Sequence, residues 1–114
     1  MRTIMTSLIL AFLASTAIAE ERQLSGDEIR NLLPTIRVLG GNTAQTFDQN
    51  GNTDYFSGGN LSKGRWSIQG DKYCSVWPPV TNWRCYGVAL DESQKSIFWI
   101  NENGDRDVNR YEPR

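Results

Sequence analysis

Histidine is absent from all 114 residues of the sequence. It is the commonest general base, a frequent metal ligand and the side chain that titrates near neutral pH. Its absence excludes Ser-His and Cys-His catalytic dyads, and the sequence has neither a Ser-x-x-Lys nor a Gly-x-x-x-x-Gly-Lys-(Ser/Thr) motif. We therefore expect a protein that is not an enzyme and uses no cofactor or metal. Paired carboxylates for glycoside cleavage are the one catalytic alternative, because any two acids can approach each other in a fold.

The sequence also lacks charge runs and an apolar run long enough to cross a bilayer. It has 12 basic and 13 acidic residues, scattered along the chain, for a formal net charge of −1. A nearly neutral chain has no electrostatic reason to bind nucleic acid or an anionic membrane. A membrane-spanning helix needs about 20 apolar residues. We therefore expect no nucleic-acid partner and no membrane insertion of the mature chain.

Residues 1–19 have the pattern of a secretory signal peptide. Arg2 is followed by an apolar stretch over residues 4–12, and small residues then end in Ala17-Ile18-Ala19. This order of charge, apolar run and Ala-x-Ala is typical of a leader that is cleaved on export. Cleavage after Ala19 would leave residues 20–114, which is enough for a single domain. The pattern predicts a periplasmic or secreted protein.

Only two cysteines are present, Cys74 and Cys85. In an oxidising compartment two nearby thiols persist as a disulfide. Redox-active pairs have close spacings such as Cys-x-x-Cys or a thiol with a lowered pKa, whereas ten residues separate these two. We therefore predict a structural disulfide that joins adjacent antiparallel strands.

One short helix is predicted near the start of the mature chain. Ser25 is a good N-cap residue, and Glu28 three positions later completes a capping box. Ile29, Leu32 and Leu33 form a single apolar stripe at helical spacing. The helix should end at Leu33, because the residue before a proline avoids helical geometry.

The chain after Pro34 predicts short strands separated by turns. Asn-Gly dipeptides at 50–51 and 103–104 favour tight hairpin turns, as does Gly70-Asp71. The consecutive prolines Pro78 and Pro79 must lie in a connection. The fold class is therefore mainly β, an antiparallel meander or small barrel with one short N-terminal helix packed on it.

The register of the central hairpin follows if Cys74 lies opposite Cys85. Tyr73 then faces Tyr86 and Trp77 faces Asn82, which leaves Pro78 to Thr81 as a four-residue loop. Because side chains alternate between the faces of a strand, one side of the sheet forms a core face. Its members are Trp66, Ile68, Tyr73, Trp77, Tyr86 and Val88.

Candidate binding residues come from the four tryptophans and from the arginines. Most aromatic residues fill the core of a small β domain, but one or two left exposed could form a ligand platform. Trp83, beside the proline-rich loop, is the first candidate, followed by Trp77 and Arg84. A trio of Arg84, Arg106 and Arg110 could clamp an anionic group, although a solvated sheet face explains these arginines more simply.

The loops at 48–54 and 101–107 share the pattern (Asp/Asn)-x-Asn-Gly-(Asn/Asp)-x-Asp. Alternating oxygen-bearing side chains could ligate Ca²⁺, but the EF-hand needs glycine at its sixth position and Glu at its twelfth. Here the glycine is fourth. Hairpin turns explain the pattern better, because Asn and Asp favour turn geometry.

Short motifs in a fixed order resemble a known group of proteins. They are the segment Leu24-Ser25-Gly26-Asp27-Glu28-Ile29, Gly64-Arg65-Trp66, Cys74-Ser75-Val76-Trp77 and Arg84-Cys85-Tyr86. The chain is similar to small exported proteobacterial proteins of uncharacterised domain families, which share a short helix, a Gly-x-Trp strand and a two-cysteine hairpin. These families have no assigned activity, so the resemblance implies a fold and export but no functional residues.

Two functions are compatible with these observations. The first is an exported, non-enzymatic β domain that binds a small ligand or an envelope component. The alternative is a periplasmic inhibitor of a protease or lysozyme that presents the loop Pro78 to Asn82. The direction in which Trp77 and Trp83 point distinguishes the two, since a concave aromatic cavity favours a ligand and a protruding loop favours inhibition.

Overall fold

The computed structural model describes residues 21–114, so the predicted leader at 1–19 lies outside the described residues. One helix, α1 (Gly26–Leu32), is followed by a 3-10 turn, Leu33–Thr35. The nine strands are β1 (Arg22–Gln23), β2 (Ile36–Leu39), β3 (Thr43–Phe47), β4 (Asn52–Ser57), β5 (Asn60–Gln69), β6 (Lys72–Val76), β7 (Arg84–Asp91), β8 (Ser96–Ile100) and β9 (Arg106–Pro113). Across residues 21–114, no helix has the length and hydropathy needed to span a bilayer.

Strands β2 to β9 form a closed antiparallel barrel. Each strand pairs with the next along the chain, and β9 returns to pair with β2. The predicted mainly β fold with one short helix is therefore confirmed, and of its two forms the chain adopts the barrel. Strand β1, which the sequence did not predict, pairs through Arg22 and Gln23 with Leu90 and Ala89 at the far end of β7.

Helix α1 has the predicted start. The Ser25 hydroxyl accepts from the backbone N–H of Glu28, and the Glu28 carboxylate accepts from the N–H of Ser25. The helix ends at Leu32, one residue before the predicted end, because Leu33 begins the 3-10 turn that contains Pro34. Ile29 and Leu33 are fully buried in the barrel core.

The helix closes one end of the barrel. The backbone N–H of Gly26 donates to Asp71 Oδ1 at 2.8 Å, in the turn between β5 and β6. A β-carbon on Gly26 would lie 2.1 Å from the carbonyl oxygen of Gly70, so only glycine permits this approach. The loops at 40–42, 58–59, 77–83 and 101–105 lie at the opposite end, which the helix leaves open.

The predicted disulfide and register are confirmed. Cys74 and Cys85 are bonded and pair directly across β6 and β7, with Cα atoms 4.0 Å apart, slightly closer than the usual 4.4–6.8 Å. Tyr73 faces Tyr86 as expected, but the ladder ends at Ser75 and Arg84. The connecting loop is therefore 77–83, longer than predicted, because its two prolines have no N–H to extend the ladder.

The predicted core face of this hairpin is also confirmed. Trp66, Tyr73 and Val88 belong to the buried core, and Ile68 and Tyr86 pack against it. Trp77 lies on the same side, beyond the end of β6, where it lines a cavity together with Tyr73 and Tyr86.

Candidate functional site

The open end of the barrel contains a cavity of about 1000 Å³. The residues that line it come from every strand of the barrel and from the loops at this end. The lining includes the polar and aromatic residues Gln45, Tyr55, Tyr73, Ser75, Trp77, Tyr86 and Trp99. The opposite end is filled by the helix and the buried core, so the cavity has a single mouth.

Aromatic rings form the walls of this cavity. The rings of Tyr73 and Trp99 stack, with centroids 4.8 Å apart and an interplanar angle of 29°. Tyr55 and Trp77 meet edge to face at 5.9 Å. Phe47 lies beneath, with its ring edge-on to Tyr73 at 5.6 Å, so the walls are held by packing from below. Flat apolar surfaces of this kind suit a planar ligand.

The Gly-x-Trp segment of β5 shapes the cavity. A β-carbon on Gly64 would lie 2.6 Å from Cε3 of Trp77, so the absence of a side chain makes room for this indole. Trp66, two residues along the same face, is buried and donates from Nε1 to the carbonyl oxygen of Asp48 at 2.9 Å. The motif therefore places one tryptophan in the cavity wall and another in the core.

The deep end of the cavity is polar. Gln45 is only 8% exposed, and its Nε2 donates to Thr53 Oγ1 at 3.0 Å and to the Tyr73 hydroxyl at 3.2 Å. Burial raises the pKa of Tyr73 to about 12, while contacts with Ser75 and Gln45 act in the opposite direction. The Tyr73 hydroxyl is therefore protonated and neutral at any physiological pH.

Charged residues of both signs surround the mouth. The lining includes two basic and two acidic residues, Lys63, Arg106, Asp105 and Asp107. Arg106 forms an ion pair with Glu21 and lies over the ring of Phe98 at 5.3 Å. Lys63 forms an ion pair with Asp54, so both basic residues of the lining are partnered by acids outside it.

The structure brings two of the three predicted binding residues together. Trp77 lines the large cavity and also a smaller adjoining one of about 330 Å³, where it is joined by Arg84. Trp83 lines neither cavity and is 43% exposed, immediately before β7. The arginine trio is divided, because Arg106 is at the mouth of the large cavity and Arg110 lines neither.

Sequence reasoning missed part of this site. Tyr73 and Tyr86 were placed on the core face, and Gln45, Tyr55 and Trp99 were not singled out. The alternation of side chains along β3 was the available indication for Gln45. Phe47 is fully buried, and Gln45 and Thr43 lie on the same side of the strand. That these residues enclose a cavity depends on closure of the barrel.

The two Asn-Gly loops have the hairpin geometry that the simpler interpretation predicts. Asn101 Oδ1 accepts from the backbone N–H groups of Asn103 and Asp105, both at 2.9 Å. Gly51 and Gly104 have positive φ angles of 91° and 83°. Within residues 21–114, no cluster of three or more Asp, Glu or Cys side chains is placed to hold a metal ion.

Comparison with known proteins provides no relative. The chain matches no family model, no curated protein and no solved structure. Functional assignment therefore depends on the geometry of the cavity and of the loops around it.

Proposed function

We propose that this protein binds a small, flat, mostly apolar ligand in the open end of its barrel. The observation that carries this proposal is the aromatic cavity of about 1000 Å³ with a buried polar floor. Ligand sites are typically concave, largely apolar and about 300–1,000 Å³ in volume, with a few polar groups that orient the ligand. The stacked pair of Tyr73 and Trp99 supplies such a wall.

The ligand is proposed to be uncharged. The deep polar groups, Gln45, Tyr73 and Ser75, are all neutral, and an ion buried without a partner is strongly disfavoured. Lys63 and Arg106 at the mouth are already paired with acidic residues, so they do not compensate for burial of an anion. A neutral amphiphile satisfies both the aromatic walls and the polar floor.

The proposed place of action is the periplasm or the exterior of the cell. The leader pattern at 1–19 and the disulfide between Cys74 and Cys85 support export. The resemblance to small exported proteins of uncharacterised families leads to the same proposal. No catalytic step is proposed.

A fluorescence titration tests the binding proposal. N-phenyl-1-naphthylamine, a neutral aromatic probe, should brighten when it enters the cavity of the mature protein. Trp77→Ala removes part of the wall and should weaken probe binding by about tenfold, the effect of roughly 1.4 kcal/mol. Trp83→Ala is the matched control, because this tryptophan lies outside the cavity. Equal affinity in the Trp77 variant, or loss only in the Trp83 variant, would contradict the proposal.

A second function is favoured by a different observation. Val80 and Trp83 are 58% and 43% exposed, and the exposed pair Phe56 and Leu61 lies on the β4–β5 hairpin at the same end of the barrel. Exposed apolar side chains gathered at one end of a domain are typical of protein contact sites. The loop Pro78 to Asn82 could therefore block a protease or lysozyme.

Inhibition assays test this second function. The mature protein should inhibit at least one lysozyme or secreted protease at equimolar concentration. Val80→Asp and Trp83→Ala should abolish inhibition, while Trp77→Ala leaves it unchanged. Full enzyme activity in the presence of excess protein, across lysozymes and proteases of each catalytic class, would exclude this function.

A further inference from the structure

We infer that the deep end of the cavity donates a hydrogen bond to a carbonyl oxygen of the ligand, from the hydroxyl pair of Tyr73 and Ser75. This inference rests on the proposed ligand-binding function and narrows the class of ligand. The inference depends on the direction of the hydrogen bonds that join Thr53, Gln45 and Tyr73 behind the cavity floor.

The chain of hydrogen bonds begins at a backbone carbonyl. The Thr53 hydroxyl donates its only hydrogen to the carbonyl oxygen of Thr46 at 2.8 Å. Toward Gln45 it can therefore only accept, so the Nε2 group of Gln45, and not its amide oxygen, must face Thr53. This fixes the orientation of the buried amide.

The second hydrogen of the same amide extends the chain to Tyr73. Gln45 Nε2 donates to the Tyr73 hydroxyl oxygen at 3.2 Å, so the hydrogen of that hydroxyl is not used by Gln45. The Ser75 hydroxyl lies two residues along the same face of β6 and also lines the cavity. Its hydrogen points either toward the Tyr73 oxygen, which leaves the Tyr73 hydrogen over, or into the cavity.

Either arrangement leaves one O–H group without an acceptor. Among residues 21–114, neither hydroxyl donates to any further protein group, and both side chains line the cavity. Tyr73 is 4% and Ser75 6% exposed, so a ligand acceptor would form its hydrogen bond at a largely buried donor, where water competes little. A ligand acceptor therefore gains by occupying this position.

The chemistry of the floor identifies the acceptor. The hydrogen-bonded groups at the floor, Gln45 and Tyr73, are neutral and buried. Arg84 lies opposite Ser75 in the sheet but is exposed, so the hydrogen bond from the floor requires no charge on the acceptor. The rings of Tyr73 and Trp99 stack on each other, so the wall above the floor is aromatic and favours a planar ligand. An aromatic ketone, ester or amide combines a planar body with a neutral carbonyl oxygen.

A matched pair of probes tests the inference. The probe 2-acetylnaphthalene has a carbonyl where 2-ethylnaphthalene has a methylene, and the two have nearly the same shape. Dissociation constants of both are measured by NMR titration for the wild type and for the Tyr73→Phe/Ser75→Ala double variant. We compare the ratio of the two affinities between the proteins. The hydration of the free probes is the same in every titration, so it does not affect this comparison.

We expect the double variant to lower the relative affinity for the acetyl probe by about three- to tenfold, the value of one hydrogen bond. Affinity for the ethyl probe should not fall. Tyr86→Phe, which removes another hydroxyl from the lining, is the control and should leave the ratio unchanged. Thermal unfolding of each variant confirms that it is folded.

The outcomes separate this inference from the proposed function. Binding of both probes in the cavity with the same affinity ratio in all variants would overturn the carbonyl assignment and leave ligand binding intact. A ratio that changes only in the Tyr86 variant would also overturn it. If neither probe shifts the signals of Trp77 and Trp99, the proposed function itself fails.

Discussion

The indole of Trp77 lies directly against the backbone of Gly64, on the inner face of the barrel. A β-carbon at residue 64 would stand 2.6 Å from Cε3 of the indole and 2.8 Å from the carbonyl oxygen of Val76. Glycine at this position is therefore what allows Trp77 to fold inward and form part of the cavity wall. The same two residues connect the Gly-x-Trp strand to the two-cysteine hairpin.

The variant Gly64→Ala should lose about 1–3 kcal/mol of unfolding free energy, the usual cost of overpacking. Urea denaturation measures this loss. In a Trp77→Ala background the cost of the same substitution should shrink, because only the contact with Val76 remains. Gly41→Ala is the control, since nothing lies within 4 Å of its added carbon. Equal costs at the two glycines would contradict the packing argument.

Reduction of the disulfide between Cys74 and Cys85 should destabilise the protein by about 2.5–3 kcal/mol. The chain-entropy model gives this value for so short a loop. Urea denaturation with and without dithiothreitol measures the effect. The Cys74→Ala/Cys85→Ala variant is the control and should not respond to dithiothreitol. A wild-type midpoint that is insensitive to reduction would show that the bond contributes nothing.

The variant Ser25→Ala should cost about 1 kcal/mol, because the helix loses its N-cap acceptor. The hydroxyl accepts from the N–H of Glu28 at 3.2 Å. Asp27→Asn is a suitable control in the same turn, since the side chain of Asp27 is exposed and takes no part in the capping box. An unchanged denaturation midpoint for Ser25→Ala would mean that the cap contributes little to folding.

Truncation of two tryptophans near the β6–β7 hairpin should have different effects on the stability of the fold. Trp66→Ala should cost about 3–5 kcal/mol, as expected for a buried aromatic residue, and it also leaves the Asp48 carbonyl without its donor. Trp83→Ala should leave the thermal midpoint nearly unchanged, because this side chain is 43% exposed and precedes β7. Collapse of the Trp83 variant would place that residue in the core and remove it from any recognition surface.

Deprotonation of Tyr73 should lower the free energy of unfolding at alkaline pH. Burial raises the pKa of Tyr73 to about 12 in the folded protein, whereas a free tyrosine has a pKa near 10. The native state therefore holds the proton more tightly, and this contribution is complete below pH 10 and is lost as the pH rises toward 12. Thermal midpoints measured from pH 8 to 11.5 should fall less steeply for Tyr73→Phe than for the wild type. Parallel curves for the two proteins would contradict the shift.

Much of the fold was predictable because its signals are local. The capping box of Ser25 and Glu28 depends on residues three positions apart. Two-residue turns such as Gly70-Asp71 fix the strands on either side of them. Pairing Cys74 with Cys85 then sets the register and thereby the buried face, since side chains alternate along a strand.

The site was only partly predictable. The sequence identified Trp77 and placed Tyr73 and Tyr86 on the inner face, but it ranked the exposed Trp83 first. The alternation of residues along a strand distinguishes its two faces. It does not show whether the space inside the barrel is filled by side chains or contains a cavity. Trp83 and Trp77 look alike in sequence, and their difference arises where the ladder between β6 and β7 ends.

The helix cap, the hairpin turns, the disulfide register and the inner face of the central strands follow from the amino-acid sequence, because each depends on residues that are near in the chain or bonded. Closure of the sheet depends on the long-range pairing of β9 with β2, which encloses the cavity. This pairing joins Val38 to Tyr111, far apart in sequence, and both residues pack into the shared core. Such a long-range contact has no local signature, so the hydrogen-bonded floor of Gln45 and Tyr73 emerged only once the barrel was closed.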